Sequence, residues 1–501
     1  MTDHVELRTG VYVDSVSLMQ VSRLVAAAPG VDAAQVAMAT ELNLDVLRGM
    51  GFTVPDGSSP NDLVVALRAG DGAGVDAGRA AVDEALTALR SVGASSAGFG
   101  EAPPPRTLGR AIEAVAANLA LVSVPGRYAA VEALDAIDRG VSVMLFSDNV
   151  DLEAEVLLKD AAAARDVLVM GPDCGTAVVG GVALGFANVV AHGRVGLVAA
   201  SGTGAQQVMS LLDAAGIGVS HCLGVGGRDL SSRVAGRSTR QALAALDADE
   251  GTDLIVVVSK PPAPEVLADL QAYAAGLGTP VHWTTLGPGR PDLTTSVEAV
   301  LAATGVATPT WPSWDLPQEP AASGSLRGLF CGGTLADEAM LVAGEALGDI
   351  WSNIPLRADL AVGADLRAAG HVVLDFGDDG LTRGRAHPMI DPSLRLERIA
   401  VEAADAGCGV LLLDLVLGHG AHPDPAGELD EAVRSARATA AAAGRTLPVV
   451  VSLVGTERDP QGLTRCAEAL RSAGASVFAS NAAATRRAVS LLPTTEETPH
   501  G

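Results

Sequence analysis

One pattern recurs from about residue 118 onward and narrows the folds open to this chain. A short run of β-branched or leucine residues leads into a turn of glycine, serine or proline, and then an alanine-rich helix. Strands are expected at Asn118 to Val124, Val141 to Phe146, Val167 to Met170, Arg194 to Ala199 and Leu254 to Val258. Further on, the same reading gives Gly328 to Phe330, Val372 to Phe376, Gly409 to Val416 and Val449 to Val454. Helices are expected at Tyr128 to Arg139 and Ala205 to Ala215. Apolar runs that alternate with helices indicate parallel strands buried on both faces. The fold class is therefore α/β, with Rossmann-like and flavodoxin-like doubly wound parallel sheets. Ligands in such sheets bind beyond the carboxyl ends of the strands, which puts the turns at the centre of any functional reading.

Before residue 118 the pattern differs. Val11-Tyr12-Val13 reads as a strand, Ser17 to Ala28 as a helix, and Val36 to Met38 and Leu63 to Leu67 as short apolar runs. This is a smaller N-terminal α+β domain without recognisable chemistry. Two proline-rich stretches, Glu101 to Arg106 and Ala307 to Ser325, cannot continue a helix or a central strand and read as linkers. At ~100–200 residues per domain, 501 residues make three or four domains. The boundaries are 1–105, 106–190, 191–306, a linker at 307–325, and 326–495.

Composition excludes several classes. The 34 basic against 59 acidic side chains leave a net charge of −25, which argues against a nucleic-acid partner. The 57 glycines have no three-residue period, so collagen is excluded, and the periodic apolar blocks argue against disorder. No apolar run of ~20 residues suggests a membrane span, and the start lacks the pattern of a signal peptide. Five cysteines, an odd number with no C-x-x-C pair, read as reduced thiols in a cytoplasmic protein. Only two lysines occur, Lys159 and Lys260, so nearly every cation is an arginine.

Gly193 to Gly204, reading GRVGLVAASGTG, is the sharpest local signal. A buried strand runs into small residues at a helix start, where free amides and the helix dipole suit a phosphate or carboxylate. Ser201 or Thr203 could equally serve as the helix cap. Cys174, in Gly171-Pro172-Asp173-Cys174-Gly175, reads as a buried filler before it reads as a thiolate, because no basic activator adjoins it. In Gly224-Val225-Gly226-Gly227-Arg228-Asp229, Arg228 could clamp an anion or pair with Asp229. His387 lies beside Arg385 and Asp391, and His419 and His422 follow the strand ending at Val416. Histidines beside carboxylates at strand ends suit acid–base work, structural turns being the alternative. The His-x-x-His spacing is weak evidence for a metal, and none is assigned.

At these residues the sequence resembles the FdrA family, relatives of the succinyl-CoA synthetase α chain and of NDP-forming acyl-CoA synthetases. The resemblance runs from about Asn118 to Val306 and from about Leu326 to Val489. Met170 to Cys174 is similar to the Ile-Gly-Pro-Asn-Cys segment of an α chain, and Gly193 to Thr203 to its Gly-Arg-Ile-Gly-Ile-Val-Ser-Arg-Ser-Gly-Thr segment. Gly224 to Gly227 resembles its Gly-Ile-Gly-Gly turn, and Pro448 to Val451 with Gly455-Thr456 resembles the β chain's ligase domain. The runs His387 to Pro392 and Gly418 to Pro425 resemble FdrA proteins in particular. By this resemblance 106–190 is CoA-binding-like, 191–306 succinyl-CoA-synthetase-like and 326–495 CoA-ligase-like. An α chain carries its phosphorylated histidine in a Gly-His-Ala-Gly-Ala loop, whereas here Thr284 to Arg290 has no histidine. His419 sits in a Gly-His-Gly-Ala run, but in the β-like half.

The resemblance implies a subunit of an oxamate carbamoyltransferase, acting with two dissimilar partners in ureide and allantoin breakdown. The reaction interconverts oxalurate and phosphate with oxamate and carbamoyl phosphate. Under it, Ser201, Gly202, Thr203 and Gly204 hold phosphate, and Gly226, Gly227, Arg228, Arg385 and Asp391 bind substrate. His387, His419 and His422 are the catalytic candidates. The substrates would be a carbamoyl donor and acceptor, with no further cofactor assigned. CoA and ATP belong only to the alternative reading of an acyl-CoA ligase, and a third reading is a non-catalytic scaffold.

Overall fold

The computed structural model describes residues 2–93 apart from Tyr12, Asp14 and Asp56, then 105–316, 322–382 and 386–493. Residues 101–104 and 317–321 of the two expected linkers lie outside the described residues, as does Arg385. The chain divides into two compact units, Met1–Ala114 with Thr382–Ala386, and Val115–Leu381 with His387–Gly501.

The first unit holds a three-stranded antiparallel sheet in the order Thr2–Arg8, Leu63–Ala69, Val31–Met38. Helices Ser15–Ala26 and Gly72–Gly93 cover one face, where Leu18, Val25, Val65, Leu67 and Val82 form the core. Val11 and Val13 are not in a strand. The first strand is Thr2–Arg8 instead, and its signal is alternation. Val5 and Leu7 pack on a core cluster while His4, Glu6 and Arg8 form an ion-pair ladder.

The second unit contains three sheets. Leu119–Val122, Ser142–Leu145 and Val169–Met170 form a small parallel one. The next has the order Val281–Thr285, Leu254–Ser259, His192–Ala200, Val219–Gly224, Thr176–Val179, Val182–Gly185. Its first four strands are parallel, and the last two form an antiparallel hairpin that the sequence reading missed. Gly180 and Gly181 make that hairpin's turn, both at positive φ, the conformation a two-residue hairpin turn requires. The third sheet has seven strands, in the order Ser313–Trp314, Ala475–Phe478, Val449–Val454, Cys408–Val416, Ser325–Phe330, His371–Asp375, Ile350–Trp351. Only the short edge strand Ser313–Trp314, contributed by the proline-rich segment, runs antiparallel. The central strands are buried along their whole length, as expected for sheets covered on both faces.

In the middle sheet the chain order reverses between His192–Ala200 and Leu254–Ser259. In the seven-stranded sheet it reverses between Ser325–Phe330 and Cys408–Val416. In doubly wound sheets the connections leave such a switch point in opposite directions, which places the expected binding crevice beyond the strand ends there.

Candidate active site

Ser201 ends the strand His192–Ala200 in an extended conformation, and its Oγ accepts a 3.0 Å hydrogen bond from the amide of Gly204. The cap reading of Ser201 is therefore realised. Ala205 donates to the Ser201 carbonyl, which leaves the first two amides of helix Gly202–Ala214, those of Gly202 and Thr203, at the mouth. Gly202 is exposed and Thr203 half-buried, whereas Ser201 and Gly204 are buried. Of the four expected phosphate-binding residues, the structure presents two.

The mouth is not isolated. Ser201 Oγ lies 2.6 Å from Thr334 Oγ1, in the first turn of helix Gly333–Leu347. That second helix follows Ser325–Phe330, so the switch points of the two larger sheets face each other. A Cβ added to Gly332 would stand 2.8 Å from Thr203 Oγ1, so only glycine allows the two helix starts to approach this closely. Asn188 reinforces the junction, donating 2.9 Å to the Leu417 carbonyl and 2.8 Å to Asp459.

Lys260 and a set of carboxylates line the crevice. A Cβ on Gly333 would meet Asp375 Oδ2 at 2.7 Å and Lys260 Nζ at 2.9 Å, so both groups converge on the second helix mouth. Lys260 Nζ is also 3.8 Å from Asp337. Burial pushes Asp375 up to about 7 and Asp337 up to about 6, with Lys260 opposing both shifts. Asp173, at the end of the small sheet, is exposed, and the protein crowded around it shifts its carboxyl upward. Asp379 and Asp148 add to that rise, while Lys260 and Arg228 oppose it. Strand ends from all three sheets thus supply charge to one place.

The expected histidines fall nearby but are differently engaged. The His387 ring packs on Phe186 at 5.6 Å between centroids, and its Nδ1 accepts from the Met389 amide at 3.2 Å. Its Nε2 points toward Gly377, where an added Cβ would sit 2.9 Å away. Burial lowers His387 to about 4, so it is neutral near pH 7 and unsuited to donate a proton. His422 is buried, its Nδ1 accepting from Asp424 N at 3.0 Å and its Nε2 3.2 Å from Glu428. His419 is exposed, and its amide donates to the Ala187 carbonyl at 2.9 Å.

Arg228 pairs with the buried Glu155 at 2.9 Å and donates to the Val150 carbonyl, rather than pairing with Asp229. Asp229 is already committed. It accepts from Lys159 at 2.7 Å, from the Thr239 hydroxyl and from the amides of Ser238 and Thr239 at a helix start. A Cβ on Gly226 would press into the Pro172 carbonyl at 2.6 Å, while Gly227 has open space around it. Asp391 is exposed and accepts from the Ser393 amide. Cys174 is buried, its thiol pushed up to about 12, which fits the filler reading. Lys260, Asp173, Asp337, Asp375 and Thr334 were not singled out by sequence reasoning. The scarcity of lysine was the one available signal, since Lys260 directly follows a switch-point strand.

The architecture is that of an α/β protein with parallel sheets; residues 329–491 match the CoA-ligase family model, and residues 1–102 match the model described as AllF, heavy metal-associated domain. The chain is 36% identical over 501 residues to the uncharacterized protein YahF of Escherichia coli (strain K12), covering 95% of each, and it belongs to the YahF family. A stretch of the chain is 25% identical over 160 residues to the α subunit of an ADP-forming succinate–CoA ligase from Aquifex aeolicus (strain VF5). That match covers 31% of this chain and about half, 51%, of the subunit. Among solved structures, the dinucleotide-forming acetyl-coenzyme A synthetase 1 of Ca. Korarchaeum cryptofilum aligns over 79% of this chain and 88% of its own. The sequence identity is 15% and the TM-score 0.30.

Residues 1–102 do not fit a heavy-metal site. They contain no cysteine, and their one histidine, His4, is held by Glu6 at 3.2 Å. Soft metals favour thiolate, thioether or imidazole donors; the segment offers no thiolate, and no group of three His, Cys, Asp or Glu that could hold a metal occurs among the described residues. No helix among the described residues is long and apolar enough to cross a membrane.

Proposed function

We propose that this chain is the subunit of a carbamoyltransferase that positions carbamoyl phosphate in the crevice between the two facing switch points, with oxamate as acceptor. The observation that carries this is the pair of converging helix starts, Gly202–Ala214 and Gly333–Leu347, with Lys260 beside them. Two helix dipoles and a lysine suit a phosphate group without any covalent intermediate. Carbamoyl transfer needs positioning and charge stabilisation, not a phosphorylated side chain, and Thr284 to Arg290 carries no histidine. The setting we propose is ureide breakdown, with two dissimilar partner subunits and a cytoplasmic location, as the FdrA resemblance implies, and the N-terminal match to the AllF domain fits that setting. Purified together with the proteins encoded beside it, the chain should release phosphate from carbamoyl phosphate on addition of oxamate. No release with any carbamoyl acceptor rejects the reading.

The CoA-ligase match to residues 329–491 favours a second reading, acyl-CoA ligation. Its mark would be phosphate transfer from ATP to a histidine, with the exposed His419 as the candidate. Absence of labelling with ATP excludes that mechanism.

A further inference from the structure

We propose that Lys260 and Asp375 are the reacting pair of this crevice, Lys260 holding the phosphate group and Asp375 relaying the proton between phosphate and the departing nitrogen. The inference deepens the carbamoyltransferase reading and rests on it. Lys260 directly follows the strand Leu254–Ser259 at the middle sheet's switch point, and Asp375 ends His371–Asp375 in the other sheet. Asp375 is 5% exposed. Its Oδ1 accepts from the Gly377 amide at 2.9 Å, while its Oδ2 has no hydrogen-bond partner among the described residues and converges with Lys260 on the mouth at Gly333. Asn353 fixes the backbone, its Oδ1 accepting from Asp375 N at 2.9 Å and its Nδ2 donating to Asp375 O at 2.8 Å. The carboxyl is thus rigidly held with one oxygen free, the arrangement a proton relay needs.

The proton balance is closed. An oxygen of hydrogenphosphate attacks the ureido carbonyl carbon of oxalurate, forming the C–O bond of carbamoyl phosphate, and the C–N bond to the oxamate nitrogen breaks. That nitrogen takes the proton of the Asp375 carboxylic acid, and the phosphate hydroxyl returns one to the carboxylate. The total charge is the same on both sides. The groups facing Asp375 are Lys260, Asp337 from helix Gly333–Leu347, Asp414 from strand Cys408–Val416, and the His387 ring across Gly377. Burial and the two neighbouring carboxylates hold its proton to about pH 7, which matches a group that must both give and take one.

The test uses the full chain and then its complex with the co-encoded subunits. In calorimetric titration with carbamoyl phosphate, wild type should bind and Lys260→Met should bind about ten- to a hundredfold more weakly, the loss of a charge-assisted contact. Lys260→Arg should recover part of the affinity. In the complex, Asp375→Asn should bind carbamoyl phosphate as wild type does yet lose transfer. The wild-type phosphorolysis rate should fall as pH rises through about 7, because the acid form is consumed. No binding by wild type overturns the carbamoyltransferase reading and the pair with it. Wild-type binding with undiminished binding by Lys260→Met overturns the role of Lys260 alone. Transfer by Asp375→Asn at the wild-type rate overturns the relay alone.

Discussion

The two lysines of this chain have opposite surroundings. Lys159 is 0% exposed, and its three donors are matched to Glu155 at 2.8 Å, Asp229 at 2.7 Å and the Val225 carbonyl at 3.0 Å. Arg228 and the helix start at Ser238 and Thr239 satisfy the remaining carboxylate oxygens. Lys260 is 40% exposed, touches one carboxylate at 3.8 Å, and faces Asp173, Asp375 and Asp379 without pairing closely with any. A completed network of buried charge fixes the Gly226 to Asp229 turn in place. An incomplete one, with protons still held near neutral pH, is available to a ligand. Charge count alone would not have told the two apart, and partner distance does.

The largest effect should come from Lys159→Met. Removing one member of a buried ionic network strands Glu155 and Asp229, which costs about 3–5 kcal/mol. Urea unfolding measures it, and a loss under about 1 kcal/mol would break the contrast. Next comes Asp375→Asn. The folded state raises this carboxyl from 3.8 to about 7, so the wild type loses stability as pH rises from about 4 to about 7 and stays level above that. The variant escapes that loss and should be more stable than wild type at pH 8, by on the order of 2–4 kcal/mol, with the two converging near pH 4. Melting curves at both pH values decide the sign. Ser201→Ala removes the cap of helix Gly202–Ala214 and should cost about 1 kcal/mol in the same unfolding assay. Smallest is Lys260→Met, within about 1 kcal/mol of wild type, because a half-exposed and loosely paired lysine adds little to folding.

Strands and turns were readable because their signals are local. Val449–Val454 matches the expected span, and Arg194 to Ala199 lies within His192–Ala200. The Ser201 helix start was visible for the same reason, including its alternative as a cap. What sequence reasoning missed depends on partners far along the chain. Ser201 and Thr334 are 133 residues apart, and Arg228 finds Glu155 across 73 residues instead of its neighbour Asp229. Among the three candidate histidines, residue type suggests chemistry that burial tempers at His387, whereas His419 stays exposed. Lys260 was undervalued because nothing in Ser259-Lys260-Pro261 announces the carboxylates that two other sheets bring to it. Burial and long-range pairing decide which polar groups stay reactive, and neither has a short-range code.

The account turns on where phosphate binds. A crystal of the full chain soaked with carbamoyl phosphate, or with a non-hydrolysable phosphonate mimic, answers that directly. The phosphorus should lie within hydrogen-bonding reach of the Gly202 and Thr203 amides and of Lys260 Nζ. Density at another place, or a crevice left empty at saturating ligand, contradicts the account.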